Sequence, residues 1–128
     1  MYERRIEIRW ADLDASRHVN NAVYLSYLEE VRTAWVERAV GDRANVWDYV
    51  LARVEIDFKR ELTLADVAVV ASCELRSLGT SSVRTKERVV TESGELAAEA
   101  EAVVVAWDRA NGGSRPLTDA ERAALTRT

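Results

Sequence analysis

The stretch "ELAAEAEAVVVAW", Glu95 to Trp107, decides the fold. Its alanines and glutamates are strong helix formers, so composition alone would make it a second long helix. Two features point the other way. Val103 to Val105 are β-branched, and the Ser93-Gly94 turn joins the stretch to a preceding strand-like run. Read as a strand, one parity collects Ala98, Ala100, Ala102, Val104 and Ala106. Side chains alternate across a strand, so these small residues form one face that a helix can approach closely.

The neighbouring segments agree with a sheet. Ser82 to Val90 reads as a polar strand, separated by the turn "RSLGTSS" from a run whose Val67, Val69, Ala71, Cys73 and Leu75 share a face. Before it, Ala52, Val54, Ile56 and Phe58 oppose Arg53, Glu55 and Asp57. At the N-terminus Ile6, Ile8 and Trp10 oppose Arg5, Glu7 and Arg9, which predicts a strand ending near Asp12.

Between these strands the period changes. Tyr24, Tyr27, Leu28, Val31, Ala34 and Trp35 recur at three- and four-residue steps, leaving Ser26, Glu29, Glu30, Thr33 and Glu37 off the stripe. Asn20 or Asn21 suits the N-cap and Gly41 the stop, giving a helix about 30 Å long at ~1.5 Å per residue. "NGG" breaks the chain after the last strand, and Pro116 to Leu125 forms a short terminal helix starting at Thr118. The order predicts one α+β domain over residues 1–128. An antiparallel five-stranded sheet packs on one long helix, with a short C-terminal helix. So much sheet edge in a small domain favours pairing with a second subunit.

Composition excludes several functions. With 22 acidic against 18 basic residues, the net charge of −4 argues against a broad nucleic-acid footprint. No apolar run approaches the roughly 20 residues of a membrane helix, and "MYERRIEIRW" lacks the core of a secretory signal. A cytoplasmic location is the expectation. The single Cys73 forms no internal disulfide and lies in a strand-like run, where a buried, inert thiol is the expected state.

Chemistry concentrates in "DLDASRHVNN", Asp12 to Asn21, which holds the chain's single histidine. A helix start presents unpaired N–H groups and a positive dipole end, which can hold the oxyanion formed when a carbonyl is attacked. Asp14, just upstream, suits attack or water activation, with the amide near Asn21 as oxyanion donor and His18 and Asn20 as orienting groups. Aspartates and asparagines also precede helices simply because they cap them, and spacing alone favours that reading. Asp12, Asp14 and His18 make a poor metal set, and no nucleophile elbow supports a serine triad.

At these residues the chain resembles the hotdog-fold thioesterases, in the branch of 4-hydroxybenzoyl-CoA and acyl-CoA thioesterases. The matching pattern is Asp12, Asp14, His18, Val19, Asn20, Asn21, Tyr24, Glu29 and Arg32, together with the element order and a G-T-S-S turn at Gly79 to Ser82. The H-V-N-N-x-x-Y part also occurs in plant acyl-ACP thioesterases. The resemblance implies a sheet wrapped around the helix, and a homodimer or homotetramer with sites between subunits. It further implies an acyl-CoA substrate and no metal or cofactor. Asp14 becomes nucleophile or general base, the Asn21 amide polarises the thioester, and His18 matches a histidine implicated in the plant enzymes. Tyr24, Thr80, Ser81, Ser82 and Arg84 fall at substrate-binding positions, the last four towards the nucleotide. Tyr24, Tyr27, Trp35 and Trp47 offer surface for an acyl or aryl group, or else pack the core.

The chain departs from the pattern in three places. Ser16 replaces the plant asparagine, Arg17 stands where many relatives have glycine, and "KRELTLAD" replaces the usual proline followed by G-D. Alternatives to an acyl-CoA thioesterase are a carrier-protein or biosynthetic-cluster thioesterase and a non-catalytic acyl-CoA-binding dimer.

Overall fold

The computed structural model describes residues 1–41 and 48–127. Strand β1 (Tyr2–Glu7) leads to the long helix α1 (Asn21–Val40). Strands β2 (Tyr49–Phe58), β3 (Ala68–Leu78), β4 (Ser82–Thr91) and β5 (Leu96–Asp108) follow, then the short β6 (Gly113–Ser114) and helix α2 (Asp119–Arg127). The sheet runs β1-β3-β4-β5-β2 with every neighbour antiparallel, and β6 pairs with the end of β5. A long helix on a curled antiparallel sheet is the hotdog architecture.

The deciding stretch is a strand. β5 is paired along both edges, to β4 and to β2, and those ladders outweigh a helix preference of only tenths of a kcal/mol per residue. Ala98, Ala102 and Ala106 are fully buried, and Ala100 and Val104 nearly so. Helix α1 lies over β1, β3 and β4. Its stripe feeds two clusters of core residues. Tyr24, Tyr27 and Leu28 pack with Val69, Val89 and Ala98 near the helix start, and Val31, Trp35 and Val36 with Ala71, Val83 and Val104 further along. Asn20 caps α1 through its side-chain oxygen on the Ala22 amide, and Gly41 ends it at φ 53°.

Three expectations need correction. β1 stops at Glu7 rather than near Asp12. The Arg9 amide donates to the Asp12 carboxylate at 2.9 Å, and the Asp12 amide donates back to the Arg9 carbonyl. That closes a 3₁₀ turn over Trp10–Asp12 and leaves Trp10 81% exposed, off the buried face. Val67 is likewise outside the inward row of β3, exposed and at φ 67°, because the 3₁₀ turn Leu64–Asp66 ends at it. The third is the sixth strand, where Ser114 pairs back onto Trp107 after "NGG". Thr118 does start α2, as its cap: Thr118 Oγ accepts from the Glu121 amide and Glu121 accepts from the Thr118 amide. Trp47 lies outside the described residues.

Two buried ionic clusters brace this architecture. Arg32 on α1 donates to Glu87 on β4 at 2.7 and 2.8 Å, and Thr85 adds a hydroxyl donor at 2.6 Å. On α2, Glu121 accepts from Arg115 at 2.7 and 3.0 Å and from the Tyr49 hydroxyl. Burial opposes the Glu121 charge, but these donors and the Thr118 amide outweigh it and hold the carboxyl at about 2.

Candidate active site

The loop from β1 to α1 folds back as a miniature hairpin. Leu13 pairs with Val19, and the Asp14 amide donates to the His18 carbonyl at 2.9 Å. Ala15, Ser16 and Arg17 form the connection, with Arg17 in the left-handed region at φ 66°. Such loops place a left-handed residue third, which supplies a physical reason for glycine at this position in relatives. Asp14 and His18 are opposed across the hairpin, so their side chains leave it on the same side.

The two aspartates have different jobs. Asp12 is 2% exposed and accepts from the Tyr27 hydroxyl at 2.8 Å and from Arg9. Burial opposes its charge, but those donors together hold its carboxyl below the usual range. Tyr27 is pushed up by burial and by Asp12. Asp12 thus anchors the loop to α1 from inside. Asp14 is exposed, and its Oδ1 accepts from the Ser16 hydroxyl at 2.5 Å and the Ser16 amide at 2.9 Å. Those two bonds, with a smaller contribution from the His18 backbone, hold its carboxyl below the usual range.

At the helix start, Asn20 takes the Ala22 amide with its side chain and the Val23 amide with its carbonyl. The Asn21 N–H, at the positive end of α1, has no acceptor among the described residues. Asp14, Ser16, His18, Asn20 and Asn21 line a cleft of about 540 Å³. Tyr24, Phe58, Lys59, Arg60 and Glu61 complete its lining. Tyr24 is buried, donates to the Arg60 carbonyl at 2.9 Å and stacks edge-on against Phe58 at 5.2 Å. An anionic oxygen, an unpaired amide and an aromatic wall therefore face one space, a set suited to addition at an activated carbonyl.

The remaining expected residues lie elsewhere. Thr80 and Ser81 lie in the β3–β4 turn, Ser82 opens β4, and Arg84 is exposed on β4. Val83 pairs with Val104, whereas the cleft end of the sheet is marked by Val89, Ala98 and Phe58. Six residues of strand put the turn roughly 20 Å from the cleft within one chain. Conversely, Ser16, Phe58, Lys59 and Glu61 belong to the cleft without having been singled out as site residues. Phe58 was legible as the last inward residue of its strand. Lys59 and Glu61 arrive through the Val19 amide on the Leu62 carbonyl at 2.8 Å, a contact with no local sequence signal.

The family model of the thioesterase-like superfamily matches residues 8–125. The chain belongs to that superfamily. It is a thioester hydrolase by this membership. This thioesterase is 28% identical over 101 residues to the long-chain acyl-CoA thioesterase FadM of Escherichia coli (strain K12), covering 77% of this chain and 76% of that protein. A thioesterase from Thermus thermophilus, crystallised with coenzyme A and Zn, superposes with a TM-score of 0.88 at 36% identity, covering 98% of this chain and 92% of that one. The 1,4-dihydroxy-2-naphthoyl-CoA thioesterase Slr0204 of Synechocystis shares the fold, with a TM-score of 0.82 at 18% identity, over 98% of this chain and 95% of that one. No helix among the described residues of this thioesterase is long and apolar enough to cross a membrane.

Proposed function

We propose that the chain hydrolyses an acyl-CoA to the free acid and CoA, with Asp14 as the carboxylate that attacks the thioester. The observation that carries this is the shared cleft: it is lined by both Asp14 and Asn21, whose amide has no acceptor among the described residues. The lowered carboxyl keeps Asp14 ionised near neutrality, the state in which a carboxylate attacks a carbonyl. The Asn21 amide receives the oxyanion, Asn20 holds that amide in place, and Tyr24 with Phe58 offers apolar surface to the acyl group. The acyl-CoA substrate of FadM and the coenzyme A bound by the Thermus enzyme support this substrate class.

The reading includes a homodimer. β2 is a terminal strand whose Leu51 and Phe58 are 50% and 43% exposed. The start of β2 adjoins the β3–β4 turn through Tyr49, Ala106 and Ser81, and its end adjoins the cleft. Antiparallel pairing of two β2 edges thus sets one chain's Thr80, Ser81, Ser82 and Arg84 beside the other chain's cleft, where they meet the nucleotide end of the substrate. A thiol-release screen over short, long and aromatic acyl-CoAs, with matched acyl-carrier-protein substrates, tests the proposal. Turnover of some acyl-CoA, lost in Asp14→Asn, is expected; full activity in Asp14→Asn overturns the mechanism, and turnover of carrier-protein substrates alone overturns the substrate class.

A further inference from the structure

Two peptide units of the β3–β4 turn are held from behind by the C-terminal segment. Arg122 Nη1, on α2, donates to the Gly79 carbonyl at 2.8 Å, and the Leu117 amide donates to the Thr80 carbonyl at 2.9 Å. The Ser81 carbonyl is taken by the Ala106 amide and the Ser82 carbonyl by the Gly79 amide, each at 2.8 Å. Every carbonyl from Gly79 to Ser82 is thus spent on the protein. In a trans peptide, a C=O and the N–H of the next residue point opposite ways. Drawing the Gly79 and Thr80 carbonyls towards the C-terminal segment therefore turns the Thr80 and Ser81 amides away from it. Neither amide has an acceptor among the described residues. Two adjacent outward amides, beside the hydroxyls of Thr80, Ser81 and Ser82, make a surface rich in donors, of the kind that holds an anion.

Arg122 has no carboxylate within ion-pair distance among the described residues, whereas Arg115 is spent on Glu121. Its charge is brought instead to a neutral carbonyl of the turn. Helix α2 is seated without it, through buried Ala124 and Leu125 and through the bonds of Glu121 to Arg115 and Thr118. Gly79 is the one residue of the turn without a Cβ, so without that bond the Gly79–Thr80 peptide is free to flip. The flip would point a carbonyl oxygen outwards, where it repels a phosphate. We infer that Arg122 is a positioning residue for substrate binding. By holding the Gly79 carbonyl inwards it keeps the Thr80 amide presented to a phosphate of the CoA nucleotide, and it sets a positive charge behind that amide. The inference rests on the proposed reading in which this turn meets the nucleotide end of an acyl-CoA. No bond is made or broken at Arg122, so its effect falls on binding and not on the chemical step.

The test compares one acyl group on two thiols, coenzyme A and pantetheine, which lacks the nucleotide. Wild type is expected to show the lower KM for the acyl-CoA. Arg122→Met should raise that KM about tenfold, the scale of one hydrogen bond to a charged group, and leave kcat within about twofold. Both constants for the acyl-pantetheine should also stay within about twofold, which reports in the same protein that the site is folded. A variant that keeps the wild-type ratio of the two KM values overturns the inference, as does a KM that rises equally for both thioesters. Equal KM values in wild type overturn the nucleotide contact at the turn itself. Failure of wild type to release thiol from either thioester overturns the thioesterase proposal instead. Calorimetric binding of CoA and of pantetheine to wild type and Arg122→Met then decides the role of Arg122 by the same ratio.

Discussion

Replacing Glu87 by alanine tests how the helix is held on its sheet. Glu87 is fully buried in β4, and Arg32, 6% exposed on α1, reaches it with two hydrogen bonds of 2.7 and 2.8 Å. Removing the carboxylate strands a buried guanidinium and the Thr85 hydroxyl together. Breaking such a pair from one side costs about 3–5 kcal/mol, far more than the pair contributes relative to an apolar replacement. For a chain of this size that is a fall in Tm of roughly 10–20 °C. The assay is thermal and urea unfolding at one fixed protein concentration, because association would make Tm concentration-dependent. The double variant Arg32→Met with Glu87→Leu removes both charges and should recover most of the loss. A Glu87→Ala cost under about 1 kcal/mol, or a double variant as unstable as the single, would refute the reasoning.

Three further outcomes follow from the same geometry. Ser16→Ala removes the shortest bond to Asp14, so the carboxyl rises towards its ordinary range and the acid limb of the kcat/KM profile moves to higher pH; an unmoved limb counts against the role of Ser16. Arg17→Gly relieves a left-handed residue at φ 66° and should stabilise by up to about 1 kcal/mol in urea unfolding. The Glu121 carboxyl is held at about 2 against an ordinary 4.5, so its contribution, on the order of 3 kcal/mol, is complete above 4.5 and lost as pH falls towards 2. Stability measured across that window should therefore fall in wild type and stay flatter in Glu121→Gln.

Much of the site was legible because it is local. Asp14, His18, Asn20 and Asn21 fall within eight residues at a strand-to-helix junction, and the helix that orients them announces itself by its stripe. What Asp12 and Asp14 do was not legible, since two aspartates one residue apart look alike until the fold buries one. The Tyr27 hydroxyl and the 3₁₀ turn at Arg9 take Asp12 inside, while Ser16 keeps Asp14 at the surface.

Local pattern in the sequence determined the long helix, the five main strands to within a few residues at their ends, and the small-residue face of β5, because alternation, the helical repeat and turn residues are properties of neighbours along the chain. The tertiary structure decided which strands are terminal, which of the two aspartates lines the cleft, and that Phe58, Lys59 and Glu61 line it too. Those outcomes depend on contacts between residues far apart in sequence, such as Val19 with Leu62 and Arg32 with Glu87. Such contacts leave no local period to read. The chain's single histidine is visible in the sequence; the Glu61 carboxylate 3.1 Å from it comes from a segment some forty residues later, and only folding joins them.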